Sequence, residues 1–221
     1  MSRHPPAVEI PAGNVGLEGD LVLPAQPQGV VLFAHGSGSS RHSPRNALVA
    51  AALREARIGT LLFDLLTAEE DRTYATRFDI ALLSRRLDAA TAWLGKEAAA
   101  RGLPLGYFGA STGAAAALVA AAERGRGIRA VVSRGGRPDL AGAAALRRVT
   151  APTLLIVGGE DTEVIALNRA AFTEMKCEKE LQIVPGATHL FEEPGTLERV
   201  AASAAAWFHR WLAAGASPSR A

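Results

Sequence analysis

Residues 106–117 read GYFGASTGAAAA. An apolar run ends, a serine follows two places from a glycine on either side, and a chain of alanines comes next. The pattern Gly109-Ala110-Ser111-Thr112-Gly113 is G-x-S-x-G. A sharp strand-to-helix turn needs that arrangement if it is to hold a serine Oγ in the open, whereas a plain turn does not. The stretch predicts a strand over 103–110, an exposed Ser111 and an alanine-rich helix behind it.

Outward from this turn, short apolar runs alternate with longer helical patterns. Early strands are expected over 8–10 and 17–23, joined by the turn material AGNVG. Further runs follow at 29–36, 58–64, 128–136, 153–159 and 180–187. These core runs are continuous in their apolar residues and do not alternate, which is the signature of strands covered on both faces, hence of a parallel sheet. Between them Ser43 can cap a helix over 44–56, with Pro44 at its first position. Ile80, Leu83, Leu87, Ala90 and Leu94 step by three and four along one stripe. A last helix is expected from Thr196, with Leu197, Val200, Trp207 and Trp211 on one face and a frayed tail over 215–221. Strand–helix alternation over the whole length predicts a single α/β domain spanning 1–221 with no linker.

Composition is consistent with that reading. A chain of 221 residues can bury roughly 70% of its unfolded surface. It is 48% hydrophobic and 21% charged, with a net charge of +2 and no dense Lys/Arg stripe, so nucleic acid is not an expected partner. The lone cysteine, Cys177, excludes an intrachain disulfide and falls just before a strand's amino end, the wrong side for catalysis. The start lacks an apolar signal-peptide core and no apolar stretch is long enough to span a membrane, so a cytoplasmic protein without a membrane partner is expected.

In open parallel sheets, working residues collect in loops at the carboxyl ends of strands. Read in order, those ends carry His35-Gly36-Ser37, Asp64, Ser111, Ser133-Arg134, Glu160-Asp161 and His189. A nucleophile, an acid and a histidine thus occur in the order Ser, Asp, His. A serine hydroxyl is a poor nucleophile near neutral pH and needs a base within reach, itself fixed by a third group. His189 in GATHLFEEPG is the candidate base and Asp161 in GGEDTEV the orienting acid, with Glu160 as its rival. Fifty positions separate Ser111 from Asp161 and 28 separate Asp161 from His189, consistent with three adjacent strand ends. A developing oxyanion needs donors as well. The backbone N–H of Thr112 is the first candidate and that of Ser37, in HGSGSS, the second.

The remaining polar residues receive plainer readings. His35 is expected to bond nearby backbone, Asp64 to hold loops together, Asp139 to start a helix and Glu69-Glu70-Asp71 to form a solvated face. Arg134 and Arg137 lie beside the inferred site and are candidate substrate-binding residues for an acidic group, against pairing with Asp139 or facing solvent. HGSGSSR places Arg41 where a dinucleotide loop needs its last glycine, no phosphate-binding P-loop occurs, and the histidines lack zinc spacing. Neither a cofactor nor a metal is expected.

HGSGSS, GASTG, GGED and GATH, in this order over the whole chain, resemble the α/β-hydrolase superfamily, and within it the dienelactone-hydrolase-like group of small members. The resemblance implies a mostly parallel eight-stranded sheet with helices on both faces and the second strand antiparallel. By motif it places nucleophile, acid and base on Ser111, Asp161 and His189. SGSSRHSPRN, VVSRGGRPDL and PGATHLFEEPG also resemble a set of hydrolases, some joined to a phosphoribosyltransferase domain that 221 residues are not expected to contain. Dienelactone hydrolases proper use a cysteine nucleophile where this chain has Ser111, so a general carboxylesterase is the expected activity. Only about twenty residues separate Ser133 from Thr153, enough for one helix over 138–149 and too few for a lid domain. An open, shallow site for small or flexible esters follows.

The expectation is thus a serine esterase acting by acyl transfer on a small-molecule ester, as a monomer or small homo-oligomer. A thioesterase or amidase using the same residues is the alternative within enzymes. A non-catalytic ligand-binding module of the same fold is the alternative outside them.

Overall fold

The continuous apolar runs in the middle of the sheet become strands buried along their length, whereas the run at 180–187 becomes a half-exposed edge strand. In the computed structural model, which describes residues 7–213, the strands are β1 (Val8–Ala12), β2 (Val15–Val22), β3 (Val30–Ala34), β4 (Gly59–Phe63), β5 (Leu105–Ala110), β6 (Ala130–Arg134), β7 (Thr153–Gly158) and β8 (Lys179–Val184). Every residue of β3, β4, β6 and β7 is buried, while β1, β2 and β8 keep partly exposed positions. All eight form one sheet in the order β1-β2-β4-β3-β5-β6-β7-β8. β2 runs antiparallel to both β1 and β4, and the remaining pairs are parallel. The expected tail at 215–221 lies outside the described residues.

Among the described residues six helices cover the sheet: α1 (Pro44–Glu55), α2 (Ile80–Leu94), α3 (Thr112–Arg124), α4 (Ala143–Arg148), α5 (Thr162–Glu174) and α6 (Thr196–Leu212). Successive residues of a strand face opposite sides, and β3 divides accordingly. Val30, Leu32 and Ala34 join the core under α2 and α3, whereas Val31 and Phe33 join the core under α1 and α6. The first core also takes Leu83, Leu87, Ala90 and Leu94, the stripe read from the sequence. The second takes Val200, Trp207 and Trp211 from α6, with Leu197 packed against it. None of the helices among the described residues is long and apolar enough to cross a membrane.

Ser43 caps α1 as expected, its hydroxyl accepting the Asn46 N–H, with Pro44 at the first position. The helix expected over 138–149 is two pieces, a 3-10 turn at Pro138–Ala141 and the short α4. Gly142 separates them at φ +75°, a left-handed conformation that ends one turn before the next begins. No lid domain is inserted here among the described residues.

The sheet order sets the place for chemistry. β3 and β5 lie side by side, and the helices that follow them, α1 and α3, pack on opposite faces. Chains that part in this way leave a crevice at the carboxyl ends of the two strands.

Candidate active site

Ser111 sits at that crevice, between the end of β5 and the start of α3, with φ +49° and ψ −121°. A non-glycine residue there is strained and persists only when its surroundings fix it. The fixing bonds are backbone. The Ser111 N–H donates to the Arg134 carbonyl at 3.2 Å, and the Ser111 carbonyl accepts the N–H groups of Ala114 and Arg137 at 3.1 Å each. The flanking glycines allow close packing behind the turn. A Cβ on Gly113 would lie 2.1 Å from the Ala34 carbonyl oxygen, and one on Gly109 would lie 2.4 Å from the Ala114 Cα. The two glycines of the motif thus let α3 press against β3 and β5, and the serine is turned outward as a consequence.

The loop after β3 runs along this turn. A Cβ on Gly36 would approach the Ser111 Cβ to 3.1 Å. The Ser37 N–H, expected as an oxyanion donor, donates to the Thr112 side-chain hydroxyl at 2.9 Å. The sequence reading did not foresee a use for that hydroxyl.

A polar frame secures the same loop. The His35 Nδ1–H donates to the Gly36 carbonyl and Nε2 accepts the Leu65 N–H, both at 3.0 Å. Burial pushes its pKa down, which agrees with the neutral ring these two bonds require. Asp64 accepts the Arg41 N–H at 2.8 Å and pairs with its guanidinium, so it does hold loops together. The acidic run 69–71 corrects its expectation. Glu70 pairs with the buried Arg86 at 2.6 Å and accepts the Thr67 N–H, and Asp71 binds Arg77 through both oxygens. The Glu69–Arg72 pair lies at the surface, and the Asp71–Arg77 pair is partly exposed. Charges close together in sequence face a solvated side in an isolated helix, but here two 3-10 turns fold them inward against arginines from other turns.

Asp161 stands at the start of α5, directly after β7, and His189 lies in the loop after β8. The His189 Nδ1–H donates to Asp161 Oδ2 at 2.6 Å, while Glu160 is exposed and does not share that bond. The loop carrying His189 is pinned by Glu193, whose carboxylate accepts from the Thr188 N–H at 3.1 Å and the Thr188 hydroxyl at 2.6 Å. Those bonds hold the Glu193 carboxyl below the usual carboxylate range. Within the loop Phe191 is fully buried at φ +56°, a second strained residue. Gly135 links this loop to Ser111. A Cβ there would lie 3.6 Å from His189 Cε1, one residue beyond the Arg134 carbonyl that binds Ser111. Among the described residues no hydrogen bond joins the Ser111 hydroxyl to the imidazole. Such contacts commonly tighten only when substrate is present.

The two arginines part company. Arg137 is held by Asp139 at 2.9 and 2.7 Å, which raises its pKa. Arg134 neither pairs with Asp139 nor faces solvent. It is 5% exposed, with its Nη2 3.5 Å from Asn46 Oδ1 and its guanidinium 5.9 Å from the Phe191 ring centre. Asp139 lies in the 3-10 turn preceding α4. Cys177 is half-buried before β8, hydrogen-bonded weakly to Thr153, and burial pushes its thiol up.

An eight-stranded sheet of this order, with a serine on a strained strand-to-helix turn and a paired histidine and aspartate at neighbouring strand ends, defines the α/β-hydrolase class. Residues 27–210 match the family model described as an alpha/beta hydrolase domain, and the chain belongs to that family. Among solved structures it is similar to a dienelactone hydrolase of Anabaena variabilis, at 55% identity and a TM-score of 0.90 over 95% of this chain and 99% of that one. The protein Est1E of Butyrivibrio proteoclasticus shares the fold, at 17% identity and a TM-score of 0.78 over 91% and 97% of the two chains. A Mycobacterium tuberculosis protein named "Putative phosphoribosyl transferase" is 59% identical over 201 residues, which are 91% of this chain and 45% of that protein. The chain thus spans under half the length of this curated relative.

Proposed function

We propose that the protein is a serine hydrolase that cleaves small carboxylic esters through an acyl-enzyme. Ser111 Oγ attacks the ester carbonyl while His189 Nε2 takes its proton, and the same proton then passes to the departing alcohol. Water, deprotonated by His189, cleaves the acyl-serine and frees the acid and Ser111. Asp161 fixes the tautomer, since its bond to Nδ1 leaves Nε2 as the basic nitrogen. The Thr112 N–H is the first oxyanion donor. The Ser37 N–H is the second, exchanging the Thr112 hydroxyl for the developing oxyanion. The reading needs no cofactor.

The observation that carries this reading is the 2.6 Å bond between His189 and Asp161 beside a serine held at φ +49°. A ligand-binding module has no need of either. A fluorophosphonate probe should label the protein at Ser111, and Ser111→Ala should lose labelling and several orders of magnitude in hydrolysis of 4-nitrophenyl acetate. Equal rates in parent and variant would overturn the assignment. The phosphoribosyl transferase name belongs to a protein about twice as long, and the part shared with this chain supports hydrolysis.

A further inference from the structure

The inner stripe of α5 contains a polar residue. Its buried positions are Val164, Asn168 and Ala171, and Asn168, with an apolar residue one turn before and one after, is fully buried. Burying an amide is costly unless its polar groups are bonded, and here the bonding is one-sided. Nδ2 donates to the Val164 carbonyl at 2.8 Å and to the Gly136 carbonyl at 2.9 Å, whereas Oδ1 is buried without a partner. Two acceptors on the same side fix which end of the amide faces them. The bond to Val164 stays within the helix. The bond to Gly136 reaches back 32 residues, to the loop after β6.

That loop, residues 135–137, touches two of the three residues of the proposed site. The Arg134 carbonyl just before it accepts the Ser111 N–H at 3.2 Å, and the Arg137 N–H at its end donates to the Ser111 carbonyl at 3.1 Å. Gly135, at φ +51°, packs so closely that a Cβ would lie 3.1 Å from the His189 carbonyl oxygen. Gly136 is pressed just as tightly, since a Cβ there would lie 2.0 Å from the Ser133 Oγ and 2.7 Å from the Ala114 Cβ. The third residue is reached through the helix itself. α5 begins directly after Asp161, whose carbonyl accepts the Ile165 N–H at 2.9 Å, and Asn168 lies two turns further on. One amide therefore joins the helix that starts at Asp161 to the loop that holds Ser111 and abuts His189.

We infer that Asn168 is a positioning residue for the reaction: its bond to the Gly136 carbonyl keeps the loop after β6, and with it Ser111 and His189, in register with Asp161. The inference rests on the hydrolase reading and adds to it a residue that acts through the loop it holds. An apolar side chain would fill the same stripe without an orphaned oxygen, so packing gives no reason for an amide here. The bond to Gly136 gives one. Misplacing reacting groups by about 1 Å can cost about a hundredfold in rate, and a tie between helix and loop prevents such a shift.

Two variants test this. Asn168→Leu keeps the bulk of the side chain and removes the donor. It should hold Tm at or above the parental value and lower kcat on 4-nitrophenyl acetate about tenfold per fluorophosphonate-titrated site, with KM little changed. In the same variant the Arg137 amide should exchange faster with solvent, as read by NMR. A residue with only a packing role would move Tm and leave kcat alone. Asn168→Asp gives a second reading within one variant, because a neutral carboxyl group can donate to the Gly136 carbonyl and an ionised one repels it. Its kcat, as a fraction of the parental value, should fall as pH rises from about 5 to about 9, the range in which a buried carboxyl ionises, and return on acidification. An unchanged kcat in Asn168→Leu would overturn the role while leaving the hydrolase intact. If that variant does not fold, a flat ratio across pH in Asn168→Asp would overturn it. A parent that fails to label would sink the hydrolase reading instead. The tie would then be judged by the Arg137 amide, and unchanged exchange in Asn168→Leu would dismiss it.

Discussion

The imidazole of His189 and the carboxylate of Asp161 meet at 2.6 Å across two strand ends that lie 28 residues apart in the chain. Glu160, one residue earlier, is exposed and outside that bond. Substitution should reflect the difference. Asp161→Asn is expected to lower kcat about a hundredfold or more, because an amide cannot hold the tautomer that leaves Nε2 basic. Glu160→Gln should keep the parental rate. Initial rates on one ester decide it, and equal losses in the two variants would contradict the assignment.

Strain at Ser111 has a measurable counterpart. Ser111 occupies φ +49°, a region glycine enters without a Cβ clash. Ser111→Gly should therefore raise stability by about 1 kcal/mol, or roughly 2–4 °C in Tm for a chain of this size. Ser111→Ala, which retains the Cβ, should leave Tm near the parental value. Both should abolish labelling. A calorimetric scan that placed the two variants at the same Tm would show that the turn is unstrained.

Thr112 ties the loop after β3 to the Ser111 turn through its hydroxyl. Thr112→Val removes that acceptor while leaving the backbone N–H of residue 112 in place. We expect kcat/KM to fall about fivefold, the value of one hydrogen bond of about 1 kcal/mol, and the Ser37 amide to exchange faster with solvent. Thr112→Ser should restore both. If Thr112→Val matched the parent in both measurements, the bond would have no positioning role.

His35 gives stability a pH dependence. Burial lowers its pKa below the unfolded value near 6.5, so the unfolded chain binds its proton first as pH falls. The stabilisation from neutral His35 is complete above about pH 6.5 and is lost below it, where the charged ring could no longer accept the Leu65 N–H. Urea unfolding of the parent should therefore lose more stability between about pH 7.5 and about pH 5.5 than that of His35→Gln, which keeps an acceptor but no titrating ring. Parallel losses would assign the effect to other groups.

Much of this was legible in the sequence for a simple reason. Continuous apolar runs state burial on both faces, and burial on both faces implies a parallel sheet with helices either side. The period-two split of β3 between two cores and the stripe Leu83, Leu87, Ala90 and Leu94 are local consequences of strand and helix geometry. The G-x-S-x-G turn is equally local, because its glycines answer to sterics within a few residues. What failed was also local in appearance. The break at Gly142 and the inward fold of Glu70 and Asp71 depend on partners elsewhere in the chain.

The order of residue types along the chain therefore determined the architecture, the strained serine and the candidates for acid and base. Only the tertiary structure paired His189 with Asp161 and not Glu160, tied Ser37 to Thr112, and separated Arg137, neutralised by Asp139, from Arg134, which no carboxylate contacts among the described residues. The physical reason is that a charge or a donor acquires its role from what lies within a few ångströms of it. Those neighbours come from strands and loops that the sequence lists far apart.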